Sequence, residues 1–496
     1  MNRKQALTLF VLVLGTLMGA LDSTIVLLAF PTIVTSLHAN IATAIWIILI
    51  YLLVLGVTTT PLGRIGDIYG RSRLFISGFA LFTVGSALCG FSTGIESLIL
   101  FRGIQAFGGS LLQANSGAII ADVFARKERG TAFGFNSLGF TGGAMIGIVL
   151  GGLLTTLLGW QYIFFINIPI GIAAVILGIA YLKEVPRKKV RVDIVGAILL
   201  AIALSLISYG AVDFAGEGLT IMNLLFMIIG AAIIPSFMIY ERKFSSPMVD
   251  FEALKDRVLK FSLSAAFIQG LGYFSVVFLL VLYLQGILGL TPLNASLLLI
   301  PGYVVGSFIS PIMGRLADRY GSRKITTLGI IFLIVAILIY LTLRADSPLY
   351  TVLPGFKVNY TVLVGSAVAG LGTSMFFPAN NRAVMSNVRA GSYGSISGLL
   401  RTLQNIGILG SFVIAISVAS ATIPRAVAFQ IFIGTSNLSG DVSRVFVMGI
   451  DAALIVSLVL LVIAGILSFQ KGEESISDAG APGTPKTDKD QSDAHK

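Results

Sequence analysis

Long apolar runs, broken by short clusters of glycine, proline and charged residues, make up nearly the whole chain. Windows of about twenty apolar residues are long enough to cross a hydrocarbon core about 30 Å thick. Fourteen such windows predict helices at 7–33, 42–62, 74–92, 97–121, 131–158, 161–182, 194–212, 220–240, 260–286, 292–313, 325–343, 361–380, 396–420 and 445–469, numbered 1 to 14 in that order. Membrane β-barrels instead use alternating segments of about ten residues, a pattern these runs do not follow. Beyond about Gln470 the sequence turns to Gly, Ser, Asp, Lys and Pro, and residues 470–496 are expected to be a disordered tail.

Composition supports an all-α membrane protein. Charged residues are 11% of the chain and the mean hydropathy is +0.93, against about 25% charged residues in soluble domains. The net charge of +11 does not point to nucleic acid, because the basic residues are scattered over the segments between helices. With the N-terminus in the cytoplasm, 28 of the 34 Lys and Arg fall on the inner side and four on the outer. That asymmetry follows the positive-inside rule. It predicts cytoplasmic termini, an even number of spans and a multi-pass protein of the plasma membrane. The single Cys89 and the distant His38 and His495 leave no disulfide framework and no histidine metal centre. The first apolar run reaches Ile33, too long for a signal-peptide core, so it reads as a retained helix.

A short glycine-rich, charged loop follows helix 2: Gly63-Arg64-Ile65-Gly66-Asp67-Ile68-Tyr69-Gly70-Arg71-Ser72-Arg73. After helix 10 it recurs as Gly314-Arg315-Leu316-Ala317-Asp318-Arg319-Tyr320-Gly321-Ser322-Arg323-Lys324, offset by 251 residues. A signature duplicated at that distance predicts two similar halves. Eight helices lie between the copies, so the division is 6+2+6. Residues 1–183 form the first half, 184–258 a basic linker with two inserted helices, and 259–469 the second half.

The loop resembles motif A of the major facilitator superfamily, in the pattern G-x-L-a-D-r-x-G-r-k-x, and fourteen spans point to that family's fourteen-helix drug:proton antiporter branch. The resemblance implies a bundle of two six-helix halves around a central cavity. Gly63, Asp67, Gly70 and Arg71, with Gly314, Asp318 and Gly321, would then gate the movement of the halves. Leu21-Asp22-Ser23-Thr24-Ile25-Val26, closed by Phe30-Pro31, is similar to the branch's helix-1 motif, whose Asp handles protons or cationic substrates. Asp22 lies about 15 residues into its helix, roughly 22 Å from the inner end. A charge there costs about 2.5–3.5 kcal/mol, so it must line a cavity, be protonated or be paired.

Arg102-Gly103-Ile104-Gln105 resembles motif B, with Ala106 in place of a glycine. Arg102 either snorkels to the outer surface or biases a nearby carboxylate; in the transport expectation it tunes Asp22. Gln105, Gln113 and Asn115 add polar atoms to helix 4. Gly139, Gly143, Gly147 and Gly151 form a stripe that permits close helix contact. The last three lie in a segment similar to the antiporter motif C, except that Ile148 replaces its proline. Trp160 to Gly171 is similar to another stretch of the same branch. In the second half, Gln269 and Tyr273 on helix 9 and Phe376 and Phe377 on helix 12 are candidate substrate contacts. Asp451 on helix 14 is the second intramembrane carboxylate.

The expectation is a non-enzymatic, monomeric secondary transporter that exports amphipathic organic compounds or drugs in exchange for protons, in contact with membrane lipids. It needs no cofactor beyond the proton gradient. The alternatives are a uniporter or proton symporter of one metabolite, and a non-transporting sensor or scaffold. Sequons at Asn294, Asn359 and Asn437 fall on predicted outer loops.

Overall fold

The computed structural model describes residues 3–124, 126–184, 192–244, 247, 251, 253–388, 393–422 and 440–472. Fourteen helices are long and apolar enough to span a membrane. They are α1 (Arg3–Ser36), α2 (Trp46–Tyr69), α3 (Arg71–Gly90), α4 (Ile95–Val123), α5 (Arg126–Leu157), α6 (Tyr162–Tyr181), α7 (Ile194–Glu217), α8 (Ile221–Glu241), α9 (Arg257–Ile287), α10 (Pro292–Tyr320), α11 (Ser322–Tyr340), α12 (Tyr360–Ser386), α13 (Tyr393–Thr422) and α14 (Gly440–Gln470). Each predicted span has its helix, usually extended by several residues at the ends. Side chains that cap, such as Asp193 on the Gly196 amide (2.8 Å) and Asp256 on the Leu259 amide (2.8 Å), define the starts of α7 and α9. The predicted tail beyond residue 472 and the sequon at Asn437 lie outside the described residues. Asn359 caps α12, and Asn294 donates to the Gly355 carbonyl at 2.9 Å.

One expectation needs correction. The signature is not a loop: Gly63–Tyr69 completes α2, and only Gly70 breaks the helix, at φ 114°. Its second copy behaves alike, helical to Tyr320 with Gly321 at φ 86°. Arg, Ile, Asp and Tyr all tolerate a helix, and only the residue that must turn needs glycine's freedom. The all-α expectation holds, with one short hairpin among the described residues. Tyr350–Leu353 pairs antiparallel with Phe356–Val358 around Pro354-Gly355.

The packing order places the candidate residues. In the first half α1 packs along α5, while α4 packs along α2 and α3. In the second, α9 packs along α13 and α14, and α12 along α10 and α11. Across the halves, α5 meets α10 and α2 meets α13. The face on which α1 starts and α14 ends is the terminal face. Towards it, Thr60 and Thr402 share a hydrogen bond of 2.7 Å, and Asn405 Nδ2 donates to Gln113 Oε1 at 2.8 Å. Towards the far face, Gln285 Nε2 donates to the Leu28 carbonyl at 3.0 Å, and Phe30, Phe278 and Phe412 stack in a row. The pair α7 and α8 lies outside. Tyr209 of α7 touches Trp46, and the Ala211 carbonyl accepts from Ser417 of α13. Little of α8 is buried, and its Ile221, Met222 and Ile239 point outward, as a lipid-facing helix requires.

Candidate functional site

The deepest polar cluster is built on Asp22. Its side chain is completely buried, and that of Arg102 is 2% exposed. Arg102 Nη1 donates to Asp22 Oδ2 at 2.6 Å and to Gln105 Oε1 at 2.6 Å. Gln105 Nε2 donates to Asp22 Oδ1 at 2.7 Å and to Ser86 Oγ at 3.0 Å. Arg102 Nε donates to the Ile47 carbonyl at 3.2 Å, and the guanidinium lies 4.2 Å from the Tyr51 ring centre. Asn167 Nδ2 donates to Ser86 Oγ at 3.0 Å, tying in α6. Arg102 therefore does not snorkel; it turns inward and pairs. Helical spacing explains the arrangement, since Arg102 and Gln105 at i,i+3 share one face of α4. Ser86, Tyr51 and Asn167 were not singled out as partners from sequence, because each lies on a different helix.

The pair cancels its own charge, which makes a buried carboxylate tolerable. In this conformation Asp22 has no free approach for a cationic substrate, because both oxygens are engaged and the residue is sealed. A proton placed on Asp22 would leave Arg102 with neutral acceptors only.

The glycine stripe fixes where α1 lies. A Cβ on Gly139, Gly143, Gly147 or Gly151 would press on Val13, Leu17, Leu21 or Ile25 respectively, at one constant register. The α5 backbone thus rests on that of α1, and Asp22 is turned towards α4. Ile148 is fully buried in an α5 that runs unbroken from Arg126 to Leu157.

The duplicated signature forms a separate cluster on the terminal face. Asp67 accepts from Arg71 Nε at 2.7 Å, and Arg71 Nη1 reaches Asp122 Oδ2 at 2.5 Å. Glu184 accepts from the Ser72 and Arg73 amides, satisfying the start of α3. Arg64 Nη2 donates to the Pro247 carbonyl at 2.6 Å, and the buried Asp193 and Glu241 of the inserted pair lie within its electrostatic reach. Gly66 lies against Asn115, whose Nδ2 donates to the Leu111 carbonyl at 2.9 Å. Gln113 joins the α2–α13 contact. The Gly314 and Gly321 backbones match their first-half counterparts, whereas the side chain of Asp318 lies outside the described residues.

The second half repeats this architecture with different chemistry. Gly78 packs on Gly108, Leu111 and Leu112 of α4, and Gly329, 251 residues on, packs in the same way on Gly372, Met375 and Phe376 of α12. This correspondence, an offset of 264 residues from α4 to α12, puts Ser366 in the place of Arg102 and Ala369 in that of Gln105. No charge is found there. Gln269, one turn from Tyr273, is fully buried, and neither amide atom has a hydrogen-bond partner among the described residues. Phe377 meets Phe274 at 6.2 Å and Phe376 at 5.6 Å; Phe376 itself is buried. Asp451 belongs to neither cluster. It is partly exposed towards the far face, 4.0 Å from Arg344.

Residues 12–412 match the family model described as Major Facilitator Superfamily. The chain is 31% identical over 410 residues to the riboflavin transporter RibZ of Clostridioides difficile, covering 82% of this chain and 86% of that one. It is 28% identical over 424 residues to the multidrug resistance protein Stp of Mycobacterium tuberculosis, covering 85% and 77%. Among solved structures, an inward-facing, unoccupied bacterial homologue of the human lysosomal transporter Spinster matches with a TM-score of 0.60 at 18% identity, covering 95% of this chain and 97% of that one.

Proposed function

Because the chain belongs to the major facilitator superfamily, and so is a multi-pass membrane transporter rather than an enzyme, we propose that it exports organic compounds in exchange for protons. The observation that carries the proton half is the Asp22–Arg102–Gln105 network, a sealed carboxylate whose protonation would remove the charge that holds its arginine. In this reading the halves expose Asp22 alternately to the two sides. Its proton enters from outside and leaves inside, while the substrate moves the other way. Relatives named for multidrug resistance support an amphipathic, drug-like cargo. The basic residues crowd the terminal face, which supports cytoplasmic ends in the plasma membrane.

The test uses protein reconstituted in sealed vesicles with an imposed pH gradient. Gradient-driven movement of a substrate, with matching proton release on substrate addition, is expected for the native chain and lost in Asp22→Asn. Gradient-driven export that survives in Asp22→Asn would refute the mechanism. A second reading is a carrier of one metabolite. It is favoured by the relative named as a riboflavin transporter and by Ile148 in place of the antiporter proline. Substrate counterflow without proton movement would support it.

A further inference from the structure

The second half contains the same kind of seam as the first, between one group (α9, α13, α14) and another (α10, α11, α12). In the first half this seam is closed by the charge network. In the second no such network is found among the described residues, and α11 packs along α14 across it. The helices α9 and α10 both pack on α12 but hardly on each other. Into the seam α9 presents Gln269 and Tyr273, one turn apart. From α10 come Tyr303 and Ser307, also one turn apart, and from α12 comes Phe377. Tyr273, Tyr303, Ser307 and Phe377 are only half-buried at mid-membrane depth. The Tyr273 and Tyr303 phenols lie within electrostatic range of each other. The Gln269 amide and the Ser307 hydroxyl lack partners among the described residues.

A buried amide with neither atom paired costs free energy, and nothing in the surrounding packing offsets it. A side-chain amide presents one N–H and one C=O side by side. Its complement is a ligand edge with an acceptor beside a donor, which is a lactam or imide. Aromatic rings flank that edge, and such rings stack on flat π systems. We propose that this seam is a substrate subsite for planar, uncharged heterocycles bearing a lactam or imide edge. Gln269 reads the edge, and Tyr273, Tyr303 and Phe377 hold the ring. The inference rests on the transport reading, and places substrate recognition in the second half, away from Asp22.

Riboflavin, which carries an imide on a planar ring system, is the probe. Full-length protein in nanodiscs is titrated with riboflavin and with N3-methylriboflavin while quenching of flavin fluorescence is followed. Native protein is expected to bind riboflavin about tenfold more tightly than the N3-methyl compound, the size of one hydrogen bond. Gln269→Met should remove both bonds and weaken riboflavin about a hundredfold, but the N3-methyl compound, which keeps only the carbonyl bond, about tenfold, while Tyr303→Ala weakens both alike. Without ligand, Gln269→Met should melt no lower than the native chain, because it removes an unpaired buried amide, so lost binding is not lost folding. Absence of quenching by the native protein, or equal affinity for both flavins, overturns the proposal. Asp22→Asn is expected to keep the flavin selectivity, so a failure of proton coupling and a failure of this subsite give different results.

Discussion

Removing one partner of the Asp22–Arg102 pair should destabilise the protein more than removing both. Arg102→Met takes away the 2.6 Å donor to Asp22 Oδ2 and leaves a sealed carboxylate with only Gln105. Breaking a buried pair in this way costs about 3–5 kcal/mol. Asp22→Asn leaves the guanidinium with the Ile47 carbonyl, the Gln105 oxygen and the Tyr51 face. The asparagine cannot satisfy both neighbours. One of its two positions must be N–H, and that N–H then faces either Arg102 or the Gln105 amide, each of which is a donor. Cation–π attraction to Tyr51, up to about 2 kcal/mol when desolvated, makes this the milder of the two. In the double variant no charge is left buried, and the coupling should recover roughly 3 kcal/mol relative to the sum of the singles. Reversible unfolding in mixed micelles, run as a double-mutant cycle, measures this. Additivity within about 0.5 kcal/mol would show that the pair carries no such coupling and that the charge argument is wrong.

Gly147→Ala puts a Cβ 2.5 Å from the Leu21 carbonyl and should cost about 1–3 kcal/mol by overpacking, whereas Gly142→Ala, with nothing within 4 Å, should be neutral; thermal melting in detergent separates them. Gly70→Ala should lose more than Gly321→Ala. Both glycines have positive φ, but only Gly70 also abuts Glu184, whose carboxylate holds the α3 amides, so equal melting losses would count against that capping role. Cysteines replacing Thr60 and Thr402, whose hydroxyls lie 2.7 Å apart, should cross-link under mild oxidation and arrest transport, with recovery on reduction. Cross-linked protein that still transports at the native rate would show that α2 and α13 need not part.

Helix number and placement were legible because each span is long, apolar and bounded by charge, and membrane insertion leaves little freedom. The glycine stripe was legible for the same local reason, since its spacing of four residues is a helix face. The signature was legible as a repeat but not as a shape, because most of its residues fit either a loop or a helix end. Partners joined from different helices were legible only in part. The link between Asp22 and Arg102 was expected, but its completion by Gln105, Ser86 and Tyr51 depends on how the helices approach, which no single-helix pattern encodes. Gln269 shows the converse. As one of several glutamines it carried little signal, and only its packing reveals that both of its amide atoms are unmatched.

The contacts between the halves join eleven of the twelve core helices along a different line from the chain's two halves. Because α5 packs on α10 and α2 packs on α13, the pair α1–α5 is joined to α10, α11 and α12, while α2, α3 and α4 are joined to α9, α13 and α14. A seam therefore runs through both halves, bridged in the second where α11 packs along α14. Asp22 and Arg102 face each other across it in the first half, and Gln269 with Tyr273 faces Tyr303, Ser307 and Phe377 across it in the second. Charge neutralisation at Asp22 would weaken the first-half end of that seam, and a flat ligand would fill the second-half end. The two sites need no direct contact to influence each other, because both act on the same pair of packed bodies. Coupling then amounts to a difference in how well each occupant fits the open and closed forms of one interface. It follows that Asp22→Asn, which mimics a permanently protonated carboxylate, should shift the affinity of a second-half ligand without changing which ligand edge is preferred. A change in selectivity between riboflavin and its N3-methyl derivative in that variant would break the argument, since it would require Asp22 to touch the ligand itself.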